Sequence, residues 1–201
     1  KLGVGTIVLD HPGEAQRLAG FARAKGVKAR VLLRVNPGIA AKTHRYIQTT
    51  TKESKFGMVT DDPQTWDLIE ALFSSDALDF KGFHCHIGSQ ILDEAFFFEE
   101  AEAILHFVQK VEDRFQKPVE EINLGGGFGV RFVDESPIDL APFLQRYIEK
   151  IEELKRDLKL AVKVVSIEPG RSMINPFGYL IYKVGALKTL PSGLNYAFVD
   201  G

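Results

Sequence analysis

Apolar and polar positions follow two rhythms along this chain. Short β-branched or apolar runs at residues 5–9, 29–36, 80–87, 121–124 and 163–167 read as strands. Between them the apolar period lengthens to three or four. In residues 94–115 it falls on Phe98, Ala101, Leu105, Val108, Val111 and Phe115. In residues 138–158 it falls on Leu140, Leu144, Tyr147, Ile148, Ile151, Leu154 and Leu158. Shorter helices are expected over residues 12–24, entered from Asp10 or His11, and over residues 63–73, with Asp61 and Asp62 as capping candidates. Alternation of this kind implies a parallel sheet with helices outside it. Five strand–helix units are too few to close an eight-stranded barrel and enough for an open sheet. After Arg171 the pattern changes: residues 179–189 and 196–199 read as strands around a Pro191-Ser192-Gly193 turn, with no helix. That predicts an exit into a second, all-β domain.

Three polar clusters each follow a predicted strand directly, so in a parallel sheet they converge on one face. In a barrel that face carries the active site, and its last loops commonly bind phosphate. The first cluster is His84-Cys85-His86-Ile87-Gly88-Ser89-Gln90. A period of two puts His84 and His86 on one face and Cys85 on the other. The pair reads as hydrogen-bonded interior histidines, as two metal ligands lacking a third, or as one imidazole stacked on a planar ligand beside a Ser89 hydroxyl.

The second cluster is Gly125-Gly126-Gly127-Phe128-Gly129. It is either a tight turn needing positive φ or a loop whose bare N–H groups cradle an anion. The dinucleotide fingerprint fails because Val130 stands where its last glycine belongs, and no Gly-Lys-Ser/Thr follows. The third is Glu168-Pro169-Gly170-Arg171-Ser172. Glu168 and Arg171 form a structural salt bridge, or they face apart across a Pro-Gly turn. In the latter case Glu168, closing a buried strand, needs a cationic partner such as a protonated ring nitrogen. Arg171 then offers its planar fork to a phosphate or carboxylate.

Composition narrows the field. The 201 residues are 45% hydrophobic and 26% charged, as in an ordinary globular protein. A net charge of −2 gives no electrostatic case for nucleic acid or an anionic membrane. No apolar run approaches the roughly 20 residues of a membrane span. The single cysteine, Cys85, excludes an internal disulfide and fits a reducing, cytoplasmic setting.

Together these clusters resemble the fold-type III pyridoxal-phosphate-dependent decarboxylases. The likeness also runs through Arg34-Val35-Asn36-Pro37, Ser54-Lys55-Phe56-Gly57, Asn123-Leu124 before the glycines, and Val199-Asp200-Gly201. The form His-Ile-Gly-Ser-Gln is closer to the branch acting on meso-2,6-diaminopimelate, whose product is L-lysine, than to the ornithine branch. The resemblance implies an α/β fold: about the last five units of an alanine-racemase-like (β/α)8 TIM barrel over residues 1–175, then the start of a C-terminal β-domain over 176–201. It implies pyridoxal 5'-phosphate as cofactor and no metal. By the same likeness His86 stacks on the pyridine ring, Ser89 and the Gly125, Gly126 and Gly127 loop hold the phosphate, and Glu168 pairs with the ring nitrogen. Pro169, Gly170 and Arg171 complete the cofactor site, and Arg171 also reaches a substrate carboxylate.

The resemblance further implies a homodimer with shared active sites. It places the Schiff-base lysine upstream of Lys1, so this segment alone is expected to be inactive. Neither Lys55 nor Lys163 stands at that position, and Thr50 replaces a glycine usual in the family. Relatives acting on ornithine, arginine or a carboxy-polyamine share these motifs, and a non-catalytic relative shares the fold.

Overall fold

A computed structural model describes residues 3–39, 54–175 and 177–201; Thr50 lies outside the described residues. The strands β1 (Ile7–Leu9), β2 (Ala29–Asn36), β4 (Leu78–His84), β5 (Glu121–Asn123) and β6 (Val164–Ser166) lie side by side in chain order, all parallel. A two-residue strand, β3 (Met58–Val59), pairs in parallel with Val35 and Asn36 of β2. It was too short to leave a periodic signal. Doubly wound sheets reverse their strand order at a switch point, and this one does not. Unbroken sequential order is that of a barrel wall.

The helices are α1 (Pro12–Lys25), α2 (Pro63–Phe73), α3 (Ala95–Phe115), α4 (Leu140–Asp157) and a short α5 (Gly170–Ile174). His11, rather than Asp10, caps α1 by accepting the Gly13 N–H at 3.1 Å; Asp10 instead accepts the Gly57 N–H at 2.8 Å. Asp62 caps α2 through the Gln64 N–H. The core lies between sheet and helices, where Val31, Leu33, Phe83 and Ile122 meet Ile69, Ile104, Val108 and Tyr147. Leu32 is also buried, consistent with strands covered on both faces.

Several boundaries differ from the sequence expectation. β4 stops at His84 rather than residue 87, because its neighbour β5 stops at Asn123 and Gly125 then turns away with φ 63°. Ile148 is exposed, and Phe143 takes its place in the core. The buried line of α4 runs Phe143, Tyr147, Ile151 and Leu154, and Ile148 lies one step off it. A helical turn, α5, occupies residues that had read as non-helical. Farther on, β7 (Val184–Thr189) starts five residues late and pairs antiparallel with β8 (Asn195–Val199). Among the described residues no helix is long and apolar enough to cross a membrane.

Candidate active site

The loops after β4, β5 and β6 meet at the carboxyl ends of the strands. They enclose a cleft of about 190 Å³ lined by His86, Ser89, Gly127, Phe128, Glu168, Pro169, Gly170, Arg171 and Ser172. A larger groove of about 680 Å³ runs between α1 and α2 and contains none of the predicted site residues. The small cleft has the chemistry.

The glycine triplet is shaped by close backbone packing. Gly125 and Gly127 sit at φ 63° and 98°, which glycine adopts without steric cost. A Cβ at Gly126 would lie 2.1 Å from the Glu168 carbonyl oxygen, and one at Gly127 would lie 2.1 Å from that of Gly88. The loop is therefore wedged between its two neighbours. Its N–H groups are mostly spent: Gly125 donates to Asn123 Oδ1 at 2.9 Å, and Gly126 to His86 Nδ1 at 3.1 Å. Gly125 and Gly126 are buried behind the cleft, and only Gly127 of the three lines it. The turn reading thus accounts for two glycines and leaves anion contact to the third.

The bond from Gly126 makes His86 Nδ1 an acceptor, so the ring proton belongs on Nε2. Burial, aided by the nearby Arg34 charge, pushes the His86 pKa down and favours a neutral imidazole. Cys85 points the opposite way, as the period of two predicts. It is fully buried, and its thiol donates to Glu100 Oε1 of α3 at 3.0 Å. His84 is buried with Nε2 3.4 Å from Glu168 Oε1, and its Nδ1 has no hydrogen-bond partner among the described residues. Burial lowers the His84 pKa while Glu168 opposes that shift.

Glu168 corrects an expectation. It does not close a buried strand: it lies two residues beyond β6, and its side chain is 54% exposed. The carboxylate is partnered as well, accepting from Asn123 Nδ2 at 2.9 Å. Asn123 joins the Gly125 N–H to the Glu168 carboxylate, a role sequence reasoning missed. Its place just before a glycine turn was the available signal.

The Glu168–Arg171 salt bridge does not form. Arg171 sits on α5 with its guanidinium 5.9 Å from the Phe132 ring centroid, and it makes no ion pair among the described residues. Phe128 was missed too; it stacks on Phe97 of α3 with centroids 4.6 Å apart and anchors the glycine loop to the core. Lys163 pairs with Glu120 just ahead of β5 and β6, at the other end of these strands from the cleft, and Lys55 lies over the Phe56 ring. Among the described residues no group of three or more His, Cys, Asp or Glu could hold a metal ion.

The cleft therefore offers hydroxyl, N–H and guanidinium donors beside a held carboxylate and a neutral imidazole. That donor set fits a planar, phosphorylated ligand with a cationic ring nitrogen. The sequence pattern of the family described as "Pyridoxal-dependent decarboxylase, pyridoxal binding domain" matches residues 1–175. The chain belongs to the pyridoxal-dependent decarboxylases. It is 37% identical over 199 residues to the diaminopimelate decarboxylase of Bacillus subtilis, covering 98% of this chain and 45% of that protein. The diaminopimelate decarboxylase of M. jannaschii in complex with L-lysine superposes with a TM-score of 0.79 at 29% identity, over 97% of this chain and 44% of that one. The Helicobacter pylori enzyme complexed with L-lysine gives a TM-score of 0.76 at 29% identity, over 96% of this chain and 46% of that one. The chain spans about half the length of these relatives.

Proposed function

We propose that this chain forms the cofactor-holding part of a decarboxylase that converts meso-2,6-diaminopimelate to L-lysine. The observation that carries the reading is the convergence of His86, Ser89, Gly127, Glu168, Gly170 and Arg171 from three separate loops on one cleft. Pyridoxal 5'-phosphate, when bound, supplies an electron sink for chemistry at an amino-acid α-carbon. Ser89, the Gly127 N–H, Gly170 and Arg171 would hold its phosphate, and Pro169 shapes the turn between the two charged ends. His86, kept neutral by burial, would face the ring; Glu168, oriented by Asn123 and His84, would hold a proton at the ring nitrogen. Gly125 and Gly126 act behind them by fixing the loop and the His86 ring.

The choice of diaminopimelate rests on the names of the relatives and on their complexes with L-lysine. Residues 176–201 are read as the start of a separate β-domain. In support, β7 and β8 pair with each other and the family match stops at residue 175. A cytoplasmic homodimer with shared sites is part of the same proposal.

The test is CO₂ release by the full-length protein given pyridoxal 5'-phosphate and, separately, diaminopimelate, ornithine, arginine and a carboxy-polyamine. Release from diaminopimelate alone is expected. Release from ornithine but not diaminopimelate overturns the substrate, and release from none of them overturns the enzyme reading.

A further inference from the structure

Gln90 stands at φ 61°, a left-handed conformation that among the described non-glycine residues only Gln116 and Lys159 share. Its side chain explains what holds it there. Nε2 donates to the Val130 carbonyl at 2.5 Å, and Oε1 accepts the Val130 N–H at 3.2 Å. One side-chain amide thus satisfies both backbone polar groups of a residue forty positions away.

A main-chain bridge lies beside these two bonds. Ile91 N–H donates to the Gly127 carbonyl at 2.9 Å, and Gly129 N–H donates to the Ile91 carbonyl at 2.8 Å, giving a parallel bridge between Ile91 and Phe128. Val130 lies two residues past Phe128, and the Gln90 side-chain amide, from the residue before Ile91, ties it to the same loop. The bridge joins the loop bearing Ser89 to the loop bearing Gly127, and both residues line the cleft.

We propose that Gln90 is a positioning residue whose side-chain amide clamps Val130 beside the Ile91–Phe128 bridge and so sets the spacing of Ser89 and Gly127 at the phosphate end of the cleft. The proposal rests on the functional reading above. Gln90 does not line the cleft, so it would act on a bound cofactor only through Ser89 and Gly127.

The experiment measures the affinities of the full-length protein for pyridoxal 5'-phosphate and for pyridoxal, which lacks the phosphate. Gln90→Met keeps the length and the φ penalty and removes the amide; Gln90→Gly removes both the amide and the penalty. In each variant the preference for the phosphorylated form is expected to fall about tenfold, the scale of losing two modest hydrogen bonds. Hydrogen exchange at the Val130 and Gly129 amides should quicken by a similar factor. Quickened exchange with an unchanged preference overturns the positioning role, as does unchanged exchange. A wild-type protein that binds pyridoxal no worse than its phosphate overturns the functional reading instead, before any variant is compared. If strain prevents Gln90→Met from folding, Gln90→Gly still decides.

Discussion

Glu100 is a carboxyl group in the interior. It lies on α3 at 0% exposure, accepts from the Cys85 thiol, and leaves Oε2 without a hydrogen-bond partner among the described residues. Burial raises its pKa from 4.5 to about 8, so at neutral pH it is mostly the uncharged acid. The Cys85 thiol is pushed up as well, chiefly by burial, and Tyr147 likewise. In the unfolded chain Glu100 ionises near 4.5, while in the folded chain it keeps its proton until about 8. Between those values the folded state binds more protons, so stability falls as pH rises. The contribution is fully present below about pH 4.5 and gone once pH has risen through about 8. At about 1.36 kcal/mol per pH unit, that window is worth up to about 5 kcal/mol.

Glu100→Gln keeps the shape and cannot ionise. Denaturant unfolding of full-length wild type and variant, from about pH 5 to about pH 8, should give curves that meet at the acid end and diverge steadily toward the alkaline end, with the variant more stable. Parallel curves would refute the reasoning. They would mean that water or a rearrangement stabilises the ionised carboxylate despite its burial.

Two further outcomes test the site. Gly126→Ala would drive a Cβ to 2.1 Å from the Glu168 carbonyl, which must shift with its loop; a stability loss of about 1–3 kcal/mol and weaker pyridoxal 5'-phosphate binding are expected by unfolding and titration, and unchanged values would show the loop to be loose. Glu168→Gln should lower kcat about 10- to 100-fold, the scale of one charged hydrogen bond, while changing stability little because the amide oxygen still accepts from Asn123 Nδ2. An equal loss in both would make Glu168 a structural residue.

Local pattern was enough to determine the types of the longer elements, the parallel sense of the sheet and the residue kinds at the strand ends, while β3 and α5 were too short for it. Periodicity in residues 94–115 and capping at Asp62 are short-range effects, and those elements formed where expected. The cleft residues were legible for the same reason, since each cluster follows its own strand directly. Contacts between distant segments decided the rest. Whether a glycine N–H faces a ligand or a neighbour depends on His86, forty residues from Gly126. Whether Glu168 is buried depends on what lies beside β6, and the face of α4 depends on the sheet and on α3 beneath it, so Ile148 points outward and Phe143 inward. Gln90 stood in a legible cluster, but its role did not show, because its amide binds Val130, a partner that only folding brings within reach.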